Sequence, residues 1–363
     1  MKKVGNIKKR FLTKEVINEG IDYLTRGQKR SHWTPAMRKS WTKILTRREA
    51  VVNSIFVKLT TRTYKFSDFK IFHRYENKKK RKIYASAPED QIVDYVLDQC
   101  LKYAFTVKKR ILHQNSYGSI KNKGQHELRK RVMEAVKGKD EVYVAICDTY
   151  HYYPTINHQI LMSILERHIK DKWVLWLCKI TIERNKEGEG IALGLASSNI
   201  LGHIYHSEVD WVITHGEDAF KRYYRFCDDK IFIGPDKNYL HTLVRNMRNL
   251  VEQDLKQKLK PSWRVVNVNT NRFEFLGALI GKKNAILSSY KRRRIERKFK
   301  KEEKLPFHNT PKDYDRVMRT WAGIKGGFKN LEVRNLIRWW VLDSPFQEFF
   351  NRLKRVYEYK SLI

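Results

Sequence analysis

The sequence predicts an α+β fold, a mixed sheet with helical material on both sides of it. Three observations predict it. Short runs of bulky strand-forming residues stand at 143–147, on both sides of Asp228, and at 273–280. Between them, Asn157 to Leu165, 194–214 and 237–258 read as helices. The resulting order across 143–280 is β-α-α-β-α-β, which suits one mixed unit, with no internal repeat or low-complexity linker.

Each element has a local reason. Residues 1–60 are strongly basic, show no strand alternation and read as helical. Tyr64 to Phe72 alternates and reads as a strand, Lys78 to Arg81 as a basic hairpin tip, and Lys82 to Ala85 as the returning strand. Ile92, Val93, Val96, Leu97, Cys100, Leu101 and Ala104 have the spacing of a helix over 90–107. Tyr143-Val144-Ala145-Ile146-Cys147 is a short apolar run, as a buried strand requires, and it ends at Asp148. Asn157 is an N-cap for the helix that follows. Residues 290–363 are basic and mostly helical, with Gly326-Gly327 as a break.

Composition narrows the partners. The 363 residues carry 75 Lys and Arg against 39 acids, a formal charge of +36, spread along the chain with denser runs at Lys78–Lys82 and Lys291–Arg294. Such a spread suits an extended nucleic-acid groove better than a single basic tail or a membrane surface. Aromatic residues at 12% argue against disorder. Cys100, Cys147, Cys178 and Cys227 are far apart, so neither a zinc site nor a disulfide framework is expected. No apolar run has the length of a membrane span, and no apolar signal core follows Met1. A cytoplasmic, reduced protein with no membrane partner is the expectation.

The sharpest local signal is Arg225-Phe226-Cys227-Asp228-Asp229-Lys230-Ile231-Phe232-Ile233-Gly234. A hairpin turn usually contains Gly or Asn; here it holds two adjacent carboxylates. Their repulsion calls for a cation, either a lysine of this basic chain or a divalent metal, and an ordinary acidic turn is the plain alternative. In a mixed sheet the strand ending at Asp148 can neighbour this hairpin. Two carboxylates at one strand edge can share Mg²⁺, which prefers oxygen ligands. Two such ions about 3.5–4 Å apart clamp the attacking and leaving oxygens of an in-line phosphoryl displacement. That reaction needs positioning and charge neutralisation more than covalent help.

With these residues in place the chain resembles bacterial reverse transcriptases. Asp148-Thr149-Tyr150-His151-Tyr152-Tyr153-Pro154-Thr155-Ile156-Asn157-His158 is similar to their first palm motif, and Phe226-Cys227-Asp228-Asp229 to their aromatic-x-Asp-Asp box. Gly190 to Asn199 resembles the helix-start motif between them, and Phe275-Leu276-Gly277 the primer-grip strand. Arg81-Lys82-Ile83 with Asp90-Gln91-Ile92-Val93 resembles the fingers, and Ser116-Tyr117-Gly118 with Gly124-Gln125-His126 the lead into the palm. The ordered set spans about 60–280 and is far more specific than any one patch. It implies a right-hand polymerase with a mixed antiparallel palm sheet: a basic helical N-terminal segment at 1–60, fingers at 61–140, palm at 141–280 and a helical thumb at 281–363.

The resemblance also implies roles. Asp148 and Asp228 would bind two Mg²⁺ ions, with Asp229 assisting. Tyr153 would lie beneath the incoming sugar and exclude a 2′-hydroxyl, while Tyr152 is read as core. Arg81 would hold the triphosphate with its guanidinium fork; a solvated basic tip is the alternative. Gly194 would let the backbone approach the nascent pair, or serve only the helix start. Lys260 would assist the pyrophosphate leaving group or be a surface lysine. Trp321, Arg316, Arg319, Trp339 and Trp340 either line a thumb groove or, for the tryptophans, form its core.

Departures from the pattern matter. Thr149 replaces an aliphatic residue, Ala192 a frequent proline, and Asn199 a Pro or Gln, while Leu193-Gly194 and Ser198 are kept. Ser198 and Asn199 lie in the segment the family sets near the nucleotide and the templating base. No maturase-like or endonuclease motif stands out, which disfavours a self-mobile intron protein. Three readings follow: an RNA-directed DNA polymerase serving antiviral defence, the polymerase of a diversity-generating retroelement, and a catalytically silent or untemplated relative that binds nucleic acid. The first two require an RNA template (a dedicated non-coding RNA is expected), dNTPs and a DNA product. An accessory protein, a second copy of the chain and the nature of the primer stay open.

Overall fold

The computed structural model describes residues 3–27, 33–76, 79–108, 111–138, 141–185, 188–215, 222–343 and 346–361. It is a mixed α/β structure in two compact units, one built from 1–120, 146–231 and 241–263, the other from 121–145, 232–240 and 264–363. Among the described residues no helix is long and apolar enough to cross a membrane.

The first unit is organised around one buried helix. Helices α1 (Ile7–Phe11), α2 (Lys14–Thr25), α3 (Pro35–Thr46) and α4 (Arg48–Thr60) precede a hairpin of β1 (Lys70–Glu76) and β2 (Lys79–Ala85). Thr13 and Thr34 cap α2 and α3 through their hydroxyls, which accept from Val16 and Met37 N–H. Helix α5 (Pro88–Lys102) follows, with Pro88 in its first turn. Its Ile92, Val93, Val96, Leu97, Cys100 and Leu101 are fully buried, and it packs against α2, α8 (Lys172–Ile182) and α9 (Ala196–His215). A helix apolar around most of its circumference belongs at a core centre. Asn157 caps α7 (His158–His168), its Oδ1 accepting from Ile160 N–H at 3.0 Å.

The sheet of this unit runs β3-β5-β6-β4. Here β3 is Ser116–Tyr117, β4 Tyr143–Asp148, β5 Tyr223–Phe226 and β6 Asp229–Gly234. Strand β3 pairs parallel with β5, which makes the sheet mixed. Strands β4 and β6 continue into the second unit, where β7 (Arg264–Asn267) lies next to β4. That unit also holds α6 (Gln125–Val136), a three-stranded sheet of β8 (Phe273–Phe275), β9 (Ala278–Ile280) and β10 (Ala285–Leu287), and four C-terminal helices. Helix α10 (Lys237–Gln253) belongs to both units.

The C-terminal helices are α11 (Ser289–Glu303), α12 (Pro311–Lys325), α13 (Arg334–Leu342) and α14 (Gln347–Ser361). They enclose a core centred on Phe299, Trp340 and Phe349. Trp340 is therefore core, Trp321 packs on its edge, and Trp339 is partly exposed with the Arg292 guanidinium 5.0 Å from its ring centre. Arg316 and Arg319, read as groove candidates, are ion-paired on the helices to Glu302 and Asp313 and to Asp315.

Several expected boundaries shift. The first strand begins at Lys70, not Tyr64. Tyr64 O–H donates to Asp90 on α5, and the Arg184 guanidinium, in the turn after α8, sits 4.4 Å and 3.7 Å from the Phe66 and Phe69 ring centres, so this stretch is tied to a helix and a turn instead of pairing as a strand. Glu76 pairs with Lys79, so Lys79 to Arg81 belong to β2 and the tip, at 77–78, lies outside the described residues. The helix over 90–107 is α-helical only to Lys102 and finishes as a π-helical turn, Tyr103–Lys108. The helix from 237 ends at Gln253. The single strand over 273–280 is a hairpin, because Leu276 and Gly277 both take positive φ (47° and 72°), the turn that matches strand twist. Helices α6 and α8 and strands β3, β7 and β10 were not anticipated.

Candidate active site

Strand β4 carries Asp148 to the sheet edge, and the β5–β6 turn carries Cys227 and Asp228 to the same edge. Cys227 takes φ 53°, and its N–H donates to the Tyr117 carbonyl at 3.3 Å. A Cβ on Gly118 would stand 2.7 Å from Cys227 Sγ, and Gly118 itself sits at φ 100°. Only glycine lets β3 approach the turn this closely. The Thr149 N–H donates to the Asp228 carbonyl at 3.3 Å, which sets Asp148 beside Asp228. On its other side Asp148 meets 258–260: Tyr150 N–H donates to Lys258 O at 2.7 Å, and Lys260 N–H to Asp148 O at 2.8 Å. That pairing swings the Lys260 ammonium onto Asp148 Oδ2 as an ion pair.

The cluster is electrostatically uncomfortable. Burial, then Asp148, raises the pKa of Asp228. Burial, then Asp228 and Asp148, pushes Asp229 up to about 7. Asp148 Oδ1 is buried with no hydrogen-bond partner. Beneath the carboxylates lies Lys230, fully buried, donating to Thr149 Oγ1 at 2.5 Å and to the Asp228 carbonyl at 3.1 Å. Burial lowers its pKa. The unusual Thr149 thereby has a reason: an aliphatic residue there would leave the buried ammonium one partner short. Of the two cations the sequence offers for the acidic turn, a lysine or a divalent metal, two lysines stand close by: Lys230 beneath the turn and Lys260 on Asp148.

Among the described residues no three His, Cys, Asp or Glu side chains converge as a ready-made metal cage. Mg²⁺ needs only one or two carboxylates and completes its shell with water and phosphate oxygens. The orphaned Asp148 Oδ1 and the Asp228 and Asp229 carboxyls beside it are hard oxygen donors of the kind Mg²⁺ prefers.

A second group lies around Tyr153. Its O–H donates to Asn199 Oδ1 at 2.8 Å, and its ring meets Tyr152 edge-on at 4.9 Å. Tyr152 is buried, with its O–H on the Gly202 carbonyl, as expected of core. Asn199, the departure at the end of the helix-start segment, thus helps fix Tyr153, with Cys227 as a second side-chain partner. Ser198 is buried and its hydroxyl donates to the Ala192 carbonyl at 2.6 Å, closing the loop ahead of α9. Gly194 sits at φ 118°, and a Cβ there would stand 2.9 Å from the Tyr84 carbonyl. With Tyr84 N–H donating to Leu193 O, this glycine lets the loop meet β2 backbone to backbone. Tyr153, Gly194, Ser198 and Asn199 share a cavity of about 530 Å³, with Asp94 and Tyr84 also in its wall. Arg81 stands in β2 opposite Arg74, and its side chain lies outside the described residues.

Two residues escaped the sequence reading. Arg225 is fully buried and donates to Asp210 (Nη2 to Oδ2, 2.6 Å), to Ser116 Oγ and, through Nη1 at 3.1 Å, to the Cys227 carbonyl. It anchors the turn that bears Asp228, and its signal was a charged residue inside an apolar strand. Asp94, buried on α5, accepts from Ala196 N–H at 2.6 Å and from the Ser197 N–H and hydroxyl, capping α9 from another helix. Its signal was a row of acids, Asp90, Asp94 and Asp98, on a helix otherwise apolar.

No family model and no curated protein matches the chain. Among solved structures, telomerase from Candida tropicalis in complex with a three-way-junction (TWJ) fragment of telomeric RNA matches with TM-score 0.52 and 14% identity over 85% of this chain and 57% of that one. Apo telomerase from the same organism, truncated from its C-terminal domain, matches with TM-score 0.48 and 16% identity over 61% and 55%. The chain spans a little over half the length of these proteins. At this identity the likeness is one of fold: a mixed α/β chain similar to telomerase, a reverse transcriptase.

Proposed function

We propose that this chain is an RNA-directed DNA polymerase centred on Asp148, Asp228 and Asp229. One observation carries the reading: the Thr149 N–H to Asp228 carbonyl bond sets two carboxylates from separate strands side by side, one with a buried, unpaired oxygen. Asp148 and Asp228, with Asp229, would hold two Mg²⁺ ions. Bound there, the ions supply charge neutralisation for the phosphate oxygens and for the attacking primer oxygen. The chain's own residues position the rest. Tyr153, its hydroxyl held by Asn199, would lie under the sugar and reject a 2′-hydroxyl. Lys260, held at Asp148, would neutralise phosphate charge. The hairpin bearing Arg81 is tied to the Leu193–Gly194 loop through Tyr84, which supports Arg81 as a triphosphate ligand. Gly194 and Ser198 would shape the nucleotide pocket through the backbone they hold.

The telomerase that resembles this chain was solved with telomeric RNA; we take an RNA as the template here as well. On sequence grounds, the Asn199 variant of the helix-start segment favours a defence role. Adenine-specific errors in cDNA copied from a template repeat would assign the chain to a diversity-generating retroelement instead.

The test uses the full chain purified with its co-expressed RNA and supplied with Mg²⁺ and dNTPs. Incorporation is expected, and loss of it when Asp228→Ala and Asp229→Ala are combined. Incorporation that survives the double substitution refutes the site. Absence of incorporation under every primer condition supports the second reading, a nucleic-acid-binding relative without synthesis. The Lys260–Asp148 pair favours that reading, since an ammonium already neutralises the first carboxylate.

A further inference from the structure

The second unit contains a group of cations with no acid among them. Arg129 of α6 is fully buried, and its Nε and Nη1 have no hydrogen-bond partner. Its Nη2 donates to His126 Nδ1 at 2.5 Å and to the Lys329 carbonyl at 2.9 Å. A guanidinium cannot accept, so His126 Nδ1 must, and the ring's Nε2 carries the proton. Lys291 of α11 is clamped between two glycines: a Cβ on Gly277 would stand 3.2 Å, and one on Gly327 3.3 Å, from its side-chain carbons. Its ammonium donates to the Gly327 carbonyl at 3.2 Å, two residues before the carbonyl that Arg129 holds. Burial, Arg129 and Arg294 bring the Lys291 pKa down to about 8, and burial, Arg129, Lys291 and Lys329 lower that of His126. Burial and neighbouring cations disfavour the charge on Lys291 and His126, and burial that on Arg129, yet Arg129 cannot shed its charge.

We propose that this cluster is an anion site: Lys291 and the His126 Nε2–H bind a phosphate group, over the buried charge of Arg129. A half-buried ammonium and a fixed imidazole N–H are complementary to phosphate oxygens, and the buried guanidinium beneath them, with two unpaired nitrogens and no carboxylate among its hydrogen-bond partners, is costly until an anion arrives. The same chemistry fits a nucleic-acid backbone phosphate and free phosphate. The site is independent of the polymerase reading, and its test measures binding alone, with no dNTPs and no synthesis.

Binding of inorganic phosphate (by calorimetry) and of a short RNA–DNA hybrid (by anisotropy across a KCl series) are measured on the full chain. Wild type is compared with Lys291→Gln, with His126→Gln, and with Lys298→Gln, an equal charge loss on an exposed position of the same helix. Lys291→Gln and His126→Gln are expected to weaken binding about tenfold and Lys298→Gln to change it little. Loss confined to phosphate marks a small-anion site. Loss on the hybrid, with a log–log salt slope smaller by about 1 for Lys291→Gln, marks a backbone phosphate. Equal losses for Lys291→Gln and Lys298→Gln, or no response of either probe to Lys291→Gln, overturn the proposal.

Discussion

Asp94→Asn should stabilise the chain at pH 8 and not at pH 4. Asp94 is 2% exposed, and burial raises its pKa from 3.8 to about 6 against the opposing pull of Ser197 and Ala196. Between those values the folded chain holds a proton that the unfolded chain has released. Stability therefore falls as pH rises from about 4 to about 6, and the full cost, about 3 kcal/mol, persists at pH 8. Asparagine removes the charge and keeps an oxygen for the Ala196 N–H, while the Ser197 hydroxyl can turn to accept from the new amide. Allowing about 1 kcal/mol for a poorer cap, the expected gain at pH 8 is about 2 kcal/mol. At pH 4 the gain disappears. Asp94→Ala removes the acceptor altogether, orphans buried donors at the start of α9, and should cost about 2–4 kcal/mol at both pH values. Urea denaturation of the three proteins at pH 4, 6 and 8 measures this. A difference between wild type and Asp94→Asn that is the same at all three pH values refutes the reasoning, because no buried charge would then be at issue.

Three further substitutions test the architecture of the candidate site. Thr149→Val leaves the Lys230 ammonium without its 2.5 Å partner and should cost about 1.5–3 kcal/mol in urea denaturation; adding Lys230→Met should recover most of that in a double-mutant cycle. Gly194→Ala forces a Cβ to 2.9 Å from the Tyr84 carbonyl at φ 118° and should cost about 1–3 kcal/mol, with faster proteolysis of the β1–β2 hairpin as a local readout. Arg225→Met strands Asp210 in the interior and should destabilise by about 3–5 kcal/mol, more than any neighbouring polar-to-apolar change.

The local elements were legible where a single physical signal dominated. Asn157 reads as a cap and is one; the apolar spacing over 92–101 reads as a buried helix and is one. Tyr64 to Phe72 misled because alternation reports one buried and one exposed face, and here Asp90 on α5 and Arg184 in the turn after α8 supply the partners that a neighbouring strand would have. Phe273 to Ile280 misled because Leu276 gives no sign of a positive φ, although Gly277 does.

Residue types and short-range spacing already fixed the chemistry on offer: a basic chain of mixed α and β pattern, with Asp148 at one strand end and two adjacent acids where two strands meet, of which Asp228 stands in the turn and Asp229 opens β6. The chain carries those types and spacings whatever its fold. Tertiary structure decided what surrounds those acids. Lys230 is a buried support rather than one more surface lysine, Thr149 is its partner rather than a flaw in a motif, and Asn199 helps fix Tyr153. Arg225 and Asp94 act over separations of 15 and 102 residues, through Asp210 and Ala196. Buried polar groups must be satisfied by whatever the fold brings near, and that neighbourhood is a property of the folded chain, not of any stretch of sequence.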